Sequence, residues 1–247
     1  INELLPSMPH VAVSRPIHLI DATAVRTMDQ SIWRIHAVYD ATQSQLKQVL
    51  LTDERQGETL KHFTPEAGVL YIGDRAYQGK DGVRQFLDAG ADLLIRVKIR
   101  PYLAHKNPDH LVELPTKGGR VIIAPIPKEK WEAIDSRQQR QQQRKQRKRS
   151  KQPAESHYYL TLFCSDATLS GEEAVAFYRW RWQIELMFKQ LKSIQGLDET
   201  QLKSPALLRV YFLCQILVRL LSERLFTKGL FPPEVGISYV CLASISD

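Results

Sequence analysis

Three short apolar runs crowded into residues 17–53 constrain this chain most. IHLIDATAV (17–25) reads as a buried strand ending at or near Asp21. SIWRIHAVYD (31–40) alternates Ile32, Arg34, His36 and Val38 on one side with Trp33, Ile35, Ala37 and Tyr39 on the other, the period-two pattern of a strand. QLKQVLLTD (45–53) gives a third strand. Helix and strand then alternate. GETLKHF (57–63) reads as a short helix closed by Thr64-Pro65, because the residue before a proline leaves helical backbone. GVLYIGDRAY (68–77) is a strand stopping at Asp74, GKDGVRQFLDAGA (79–91) a helix closed by Gly90, and DLLIRVKI (92–99) a fifth strand. Strands in series followed by helix–strand alternation imply an α/β domain with a mixed sheet.

The pattern changes after residue 97. Five prolines fall within 100–127 among short apolar runs such as GRVIIAPI (119–126), and a strand, HYYLTLFCS (157–165), follows a basic tract. Residues 98–164 therefore read as a β-rich insertion in a core made of 1–97 and 165–247. Ser170 and Glu173 have the spacing of a capping box, in which side chain and backbone at a helix start bond reciprocally. That helix is expected to run to about Ile194 with Gly196 as its stop, and a second to cover 204–228.

The net charge of +7 is local. Residues 137–151 hold eight Lys or Arg and no acid, while the rest carries 26 basic and 27 acidic residues. Such a tract suits phosphate contact, because each neutralised phosphate releases counterions. Within it, Arg144, Lys145, Arg147 and Lys148 are the densest group. Three distant cysteines without a CxxC pair argue against a disulfide or zinc framework and for a reducing compartment. The seven histidines show no metal-ligand spacing. PALLRVYFLCQILVRLL (205–221) carries Arg209, Gln215 and Arg219, so it reads as a buried or amphipathic helix and no membrane association is expected. The chain begins at Ile1, which reads as a fragment of a longer protein.

The stretch AFYRWRWQIELMFKQLKSIQGLD (176–198) carries the chemistry. At about 100° per residue, Tyr178, Arg181, Glu185 and Lys192 fall at roughly 0°, 300°, 340° and 320°, on one stripe. Phe177, Trp180, Ile184, Met187, Leu191 and Ile194 occupy a separate apolar arc. A carboxylate on such a helix can converge with acids at strand ends, here Asp21 and Asp74. Carboxylates with water and phosphate oxygens are a ligand set for Mg²⁺ or Mn²⁺, and two such ions about 3.5–4 Å apart can serve phosphoryl displacement. Each residue alone has an ordinary reading: strand-end turns for the acids, an i,i+4 pair of Glu185 with Lys189, solvated charges for Arg181 and Lys192.

In combination and order these residues resemble a known family. Tyr-x2-Arg-x3-Glu-x6-Lys, met by Tyr178, Arg181, Glu185 and Lys192, is similar to the C-terminal signature of DDE transposases of the insertion-sequence-four family. Asp74 in DRAY resembles its Asp-Arg-Gly-Tyr block, Asp21 in IDAT its first Asp block, and WRIH (33–36) lies between them. Ala76 and Ala22 stand where glycine is usual. The resemblance implies a ribonuclease H-like core, interrupted between the second Asp and the Glu. It implies DNA cleavage at transposon ends and 3′-hydroxyl strand transfer into target DNA, within a homodimer in the bacterial cytoplasm. Asp21, Asp74 and Glu185 would hold two Mg²⁺, replaceable by Mn²⁺. Tyr178, Arg181 and Lys192 would grip double-stranded DNA, with Arg75 a further candidate. The family's usual N-terminal end-recognition region is absent, so poor end recognition is expected. Trp131, Tyr158 and Tyr159 are candidates to stack on a flipped base. The residues also leave open a ribonuclease H-like nuclease without strand transfer, and a non-catalytic remnant that binds DNA or dimerises.

Overall fold

The computed structural model describes residues 15–26, 32–53, 55–98, 110–126, 159–193, 202 and 204–227. The chain divides into two compact units. One, here the hairpin unit, comprises 16–64 and 180–247; the other, the crossover unit, comprises 1–15 and 65–179.

The hairpin unit holds β1 (Ile17–Arg26), β2 (Ile32–Asp40) and β3 (Gln45–Asp53) as an antiparallel meander. Asp21 pairs with Ala37 and Ala22 with His36. Asp40 shapes the β2–β3 turn: its Oδ1 accepts from the backbone N–H groups of Thr42 at 2.9 Å and Gln43 at 3.0 Å. This local bonding lets the chain reverse where Ser44 takes φ 53°. The expected helix at 57–63 is only a 3₁₀ turn, Leu60–His62, capped by Thr59. Seven residues before a proline leave little room for a longer helix.

The crossover unit begins its sheet with β4 (Leu70–Gly73), a 3₁₀ turn at Arg75–Tyr77 and helix α1 (Lys80–Asp88), leading to β5 (Asp92–Arg96), parallel to β4. Gly90 follows α1 with φ +76°, the left-handed conformation that favours glycine after a helix. Phe86 of α1 meets Tyr71 of β4 edge to face at 4.9 Å. Three strands from the stretch 98–164 continue this sheet: β6 (Val112–Thr116), β7 (Gly119–Pro125) and β8 (Tyr159–Cys164). β8 pairs antiparallel with β5, β7 with β8 and β6 with β7. Parallel and antiparallel pairs in one sheet, with helices alongside, make the fold class α/β with a mixed sheet. This is consistent with the expected ribonuclease H-like core.

Helix α2 (Gly171–Tyr178) starts with the expected capping box: Glu173 N–H donates to Ser170 Oγ at 3.2 Å, and Ser170 N–H to Glu173 Oε2 at 2.8 Å. The helix does not run on to Ile194. A 3₁₀ segment, Arg179–Arg181, separates α2 from α3 (Trp182–Ser193). The Arg-Trp-Arg-Trp run puts two bulky indoles two residues apart, Trp180 buried and Trp182 exposed. One uninterrupted α-helical phase is not kept across the 3₁₀ segment. Ile194 and Gly196 lie outside the described residues.

Helix α4 (Pro205–Thr227) buries Leu208, Phe212 and Ile216, an i, i+4, i+8 row, and Phe212 packs against Trp33. Leu207, Val210, Leu213, Leu217 and Leu221 are exposed, so the helix is less covered than its apolar sequence implies. Its segment Pro205–Ser222, with mean hydropathy 1.5, is long and apolar enough to cross a membrane by length and composition.

Candidate active site

Asp21 is the fifth of ten residues in β1, not a strand-end residue as expected. The strand extends to Arg26 because Ala22–Arg26 find partners in Ile32–His36 of β2. Alternation places Asp21 on the same face of β1 as Leu19 and Thr23. Its Oδ1 accepts from the N–H of Ala22 at 2.8 Å.

Helix α3 packs on β1. Its buried residues are Ile184, Met187, Phe188 and Leu191, an i, i+3, i+4, i+7 stripe. Ile184, Met187 and Leu191 belong to the arc read from sequence; Phe188 widens it. Burying that stripe turns Glu185 and Lys192 toward a shared opening of about 570 Å³, also lined by Asp21, Ala22, Thr23 and Lys189.

Arg181 ties strand and helix together. Its Nη1 donates to Asp21 Oδ2 at 3.3 Å, across 160 residues of sequence, and its Nη2 donates to Glu185 Oε1, one helical turn away. A planar guanidinium offers the fork needed to hold two carboxylates at once. The ordinary reading of Glu185 alone paired it with Lys189; Arg181, four residues before it, makes the i,i+4 contact. Lys192 Nζ donates to the carbonyl oxygen of Ala24 at 2.7 Å, fixing the far end of α3 to β1.

The other expected site residues sit in the crossover unit. Asp74 directly follows β4 as expected and caps the 3₁₀ turn, its Oδ1 accepting from Ala76 N–H at 2.7 Å. Arg75 is exposed beside it. Tyr178 ends α2, so the angular stripe computed for one continuous helix does not extend to it. Neither Ala22 nor Ala76 needs the left-handed backbone that would call for glycine: among the described residues only Ser44 has positive φ without being glycine. Arg144, Lys145, Arg147, Lys148, Trp131 and Tyr158 lie outside the described residues. Tyr159 opens β8 and packs on the Val121–Ile123 cluster.

Two carboxylates sharing one cation on an open pocket are donors of the right type for Mg²⁺ or Mn²⁺, which prefer anionic oxygen. Among the described residues, no group of three or more His, Cys, Asp or Glu is arranged to hold a metal. The fit therefore rests on Asp21 and Glu185. Other ionisable groups serve the fold. Burial, aided by the charges of His62 and Arg34, lowers the pKa of His36 from 6.5 to about 4. Its Nε2 lies 2.9 Å from Thr52 Oγ1. Burial pushes the Cys164 thiol up to about 11, which keeps it protonated at neutral pH.

Thr23, Lys189 and the Ala24 carbonyl were not read as site groups from sequence. No spacing rule marks a backbone carbonyl, and Lys189 is an ordinary helix-surface lysine until β1 lies beside it.

The sequence profile described as Transposase DDE domain matches residues 14–221, most of the chain. Similar proteins include InsL of insertion sequence elements IS186A and IS186B of Escherichia coli strain K12, and the transposase for insertion sequence element IS421 of Escherichia coli. Each is 28% identical over 254 residues, covering 88% of this chain and 68% of the relative. With acids from a strand and a helix gathered on one pocket and this match spanning both units, the chain belongs to the Transposase DDE domain family.

Proposed function

We propose that this chain is the catalytic region of an insertion-sequence-four type DNA transposase, cutting phosphodiester bonds at transposon ends and joining the 3′-hydroxyl to target DNA. The observation that carries this reading is the meeting of Asp21 and Glu185 at one guanidinium on an open pocket. Asp21 and Glu185, with Asp74 as the third acid, would hold two divalent cations, Mg²⁺ or Mn²⁺. Bound metal would supply Lewis-acid polarisation of the phosphate and a hydroxide-like nucleophile.

In cleavage, a water oxygen bonds to phosphorus, the bond from phosphorus to the 3′-oxygen breaks, and that oxygen leaves as a 3′-hydroxyl after taking a proton. In strand transfer the 3′-hydroxyl oxygen attacks a target phosphorus and a target 3′-oxygen leaves. The protein's own groups bind and orient. Lys189 and Lys192 bring positive charge to the pocket mouth, where a phosphate can accept from an ammonium. Arg181 offers guanidinium donors at the same place, and Tyr178 and Arg75 are assigned to the DNA backbone. The basic tract with Arg144, Lys145, Arg147 and Lys148 adds contacts that salt should weaken. Residues 98–164 are assigned as an insertion in a core of 1–97 and 165–247. The assembly is a homodimer bridging two double-stranded DNA ends, acting in the cytoplasm.

The test is cleavage of pre-nicked transposon-end DNA with Mg²⁺ or Mn²⁺, comparing this chain with Glu185→Ala. Loss of cleavage in the variant is expected; equal activity would overturn the reading. Scoring joined products separately from nicked ones tests strand transfer.

A further inference from the structure

Arg181 occupies the place on the Asp21–Glu185 pair where a cation would bind. Its two terminal nitrogens take one carboxylate each, one from a strand and one from a helix. A divalent cation needs those oxygens at about 2.0–2.6 Å. A guanidinium bonded to the same oxygens would then lie within a few ångströms of a +2 charge. Like charges that close repel, and oxygen lone pairs aimed at the guanidinium are not aimed at a metal. The three side chains are also accessible: Arg181 is 22% exposed, Asp21 14% and Glu185 33%, beside an opening of about 570 Å³. Space therefore exists for an ion to enter and for the long arginine side chain to leave.

We propose that Arg181 is an exchangeable internal counter-ion, which competes with a divalent cation for Asp21 and Glu185 and is released toward a DNA phosphate when the cation binds. This rests on the reading of Asp21 and Glu185 as metal-binding acids. Before loading, the guanidinium supplies one positive charge against two negative ones, holding α3 to β1 while relieving carboxylate repulsion. After loading, the divalent charge takes over that role and the guanidinium keeps its donors for a phosphate, its other strong class of partner. Metal and DNA binding become positively coupled through one side chain, and the coupling is reciprocal. The apparent metal affinity of the free protein is lowered by the fraction of molecules in which Arg181 is bridged.

The test measures Mn²⁺ binding by calorimetry, without DNA and without activity, in the wild-type chain and in Arg181→Lys, Arg181→Gln, Lys189→Gln and Glu185→Gln, with circular dichroism verifying the fold. Arg181→Lys is decisive, because it keeps the net charge and loses the two-pronged bridge; about threefold tighter Mn²⁺ binding is expected. Arg181→Gln should bind about tenfold tighter, and Lys189→Gln, which removes a pocket-lining charge but no bridge, less than about twofold tighter. Mn²⁺ should also raise the melting temperature of Arg181→Gln more than that of wild type. Wild-type affinity in Arg181→Lys, or equal gains in Arg181→Gln and Lys189→Gln, overturns the exchange while leaving the metal-site reading intact. Undiminished Mn²⁺ binding in Glu185→Gln overturns that reading and the exchange with it.

Discussion

Among the described residues, Arg15 and Arg181 each bridge two carboxylates, and their surroundings differ. In the crossover unit, Arg15 Nη1 donates to Asp92 Oδ2 at 2.6 Å and Nη2 to Asp166 Oδ2. The remaining oxygens there are engaged: Asp92 Oδ1 accepts from Ser165 Oγ at 2.7 Å, and Asp166 Oδ1 accepts from Thr168 N–H at 2.8 Å and Thr168 Oγ1 at 2.7 Å. Asp166 is 4% exposed. In the hairpin unit, Arg181 makes the same fork to Asp21 and Glu185, but both acids line an open pocket. A charge network saturated by neighbouring donors serves structure. The same network at a pocket wall puts its carboxylates within reach of a ligand. Residue types alone do not separate the two; the burial of Asp166 and the open pocket beside Asp21 and Glu185 do.

The largest expected effect tests the pocket side of this contrast. Glu185→Ala should lower metal-dependent DNA cleavage by about a thousandfold or more, measured as the single-turnover rate on nicked ends. Asp92→Asn should leave that rate within about threefold, since its acid belongs to the structural fork. Stability should show the reverse order. Arg15→Ala leaves buried Asp166 without its guanidinium and should cost about 3 kcal/mol in urea unfolding. Arg181→Gln, whose two acids are each partly exposed, should cost no more than about 1 kcal/mol. Comparable losses would remove the distinction between the two forks.

Smaller effects sharpen it. His36, the β2 register partner of Ala22, is buried and held neutral, its pKa lowered to about 4. The unfolded chain takes up that proton near pH 6.5 and the folded chain only near 4. Stability is thus full above about 6.5 and declines as pH falls from there toward 4. The urea midpoint should drop across that window in wild type and less in His36→Gln; parallel profiles would contradict the assignment. Lys192→Ala should weaken DNA binding modestly and reduce the slope of log affinity against log salt by about 1, the signature of one lost phosphate contact. An unchanged slope would remove Lys192 from the DNA contacts.

Much of the architecture was legible because its causes are local. β2 and β3 follow the alternation of Trp33, Ile35 and Ala37 and the apolar run of 45–53. The Ser170–Glu173 box needs only four consecutive residues, and the Ile184, Met187, Leu191 stripe only a helical period. The misplacements share one origin. Asp21 was set at a strand end because a local pattern does not report how far β2 supports β1. The helix through 176–194 was drawn unbroken because a wheel assumes one phase, and the 3₁₀ segment Arg179–Arg181 does not keep it. α4 was read as buried or amphipathic, and the choice between the two depends on what lies opposite, which no window of 17 residues contains.

The same division holds for the site. Sequence by itself supplied its candidates, the acids Asp21 and Glu185 and the cations Arg181 and Lys192, and the residue order that resembles a transposase DDE domain. Tertiary structure alone decided that Arg181 spans Asp21 and Glu185, that Lys192 bonds a backbone carbonyl of β1, and that Arg15 makes the same fork onto a buried Asp166. Periodicity and capping arise from hydrogen bonds a few residues apart, so they are written in the local order of side chains. Pairing across 160 residues arises from packing a helix on a strand, and that packing belongs to the folded whole.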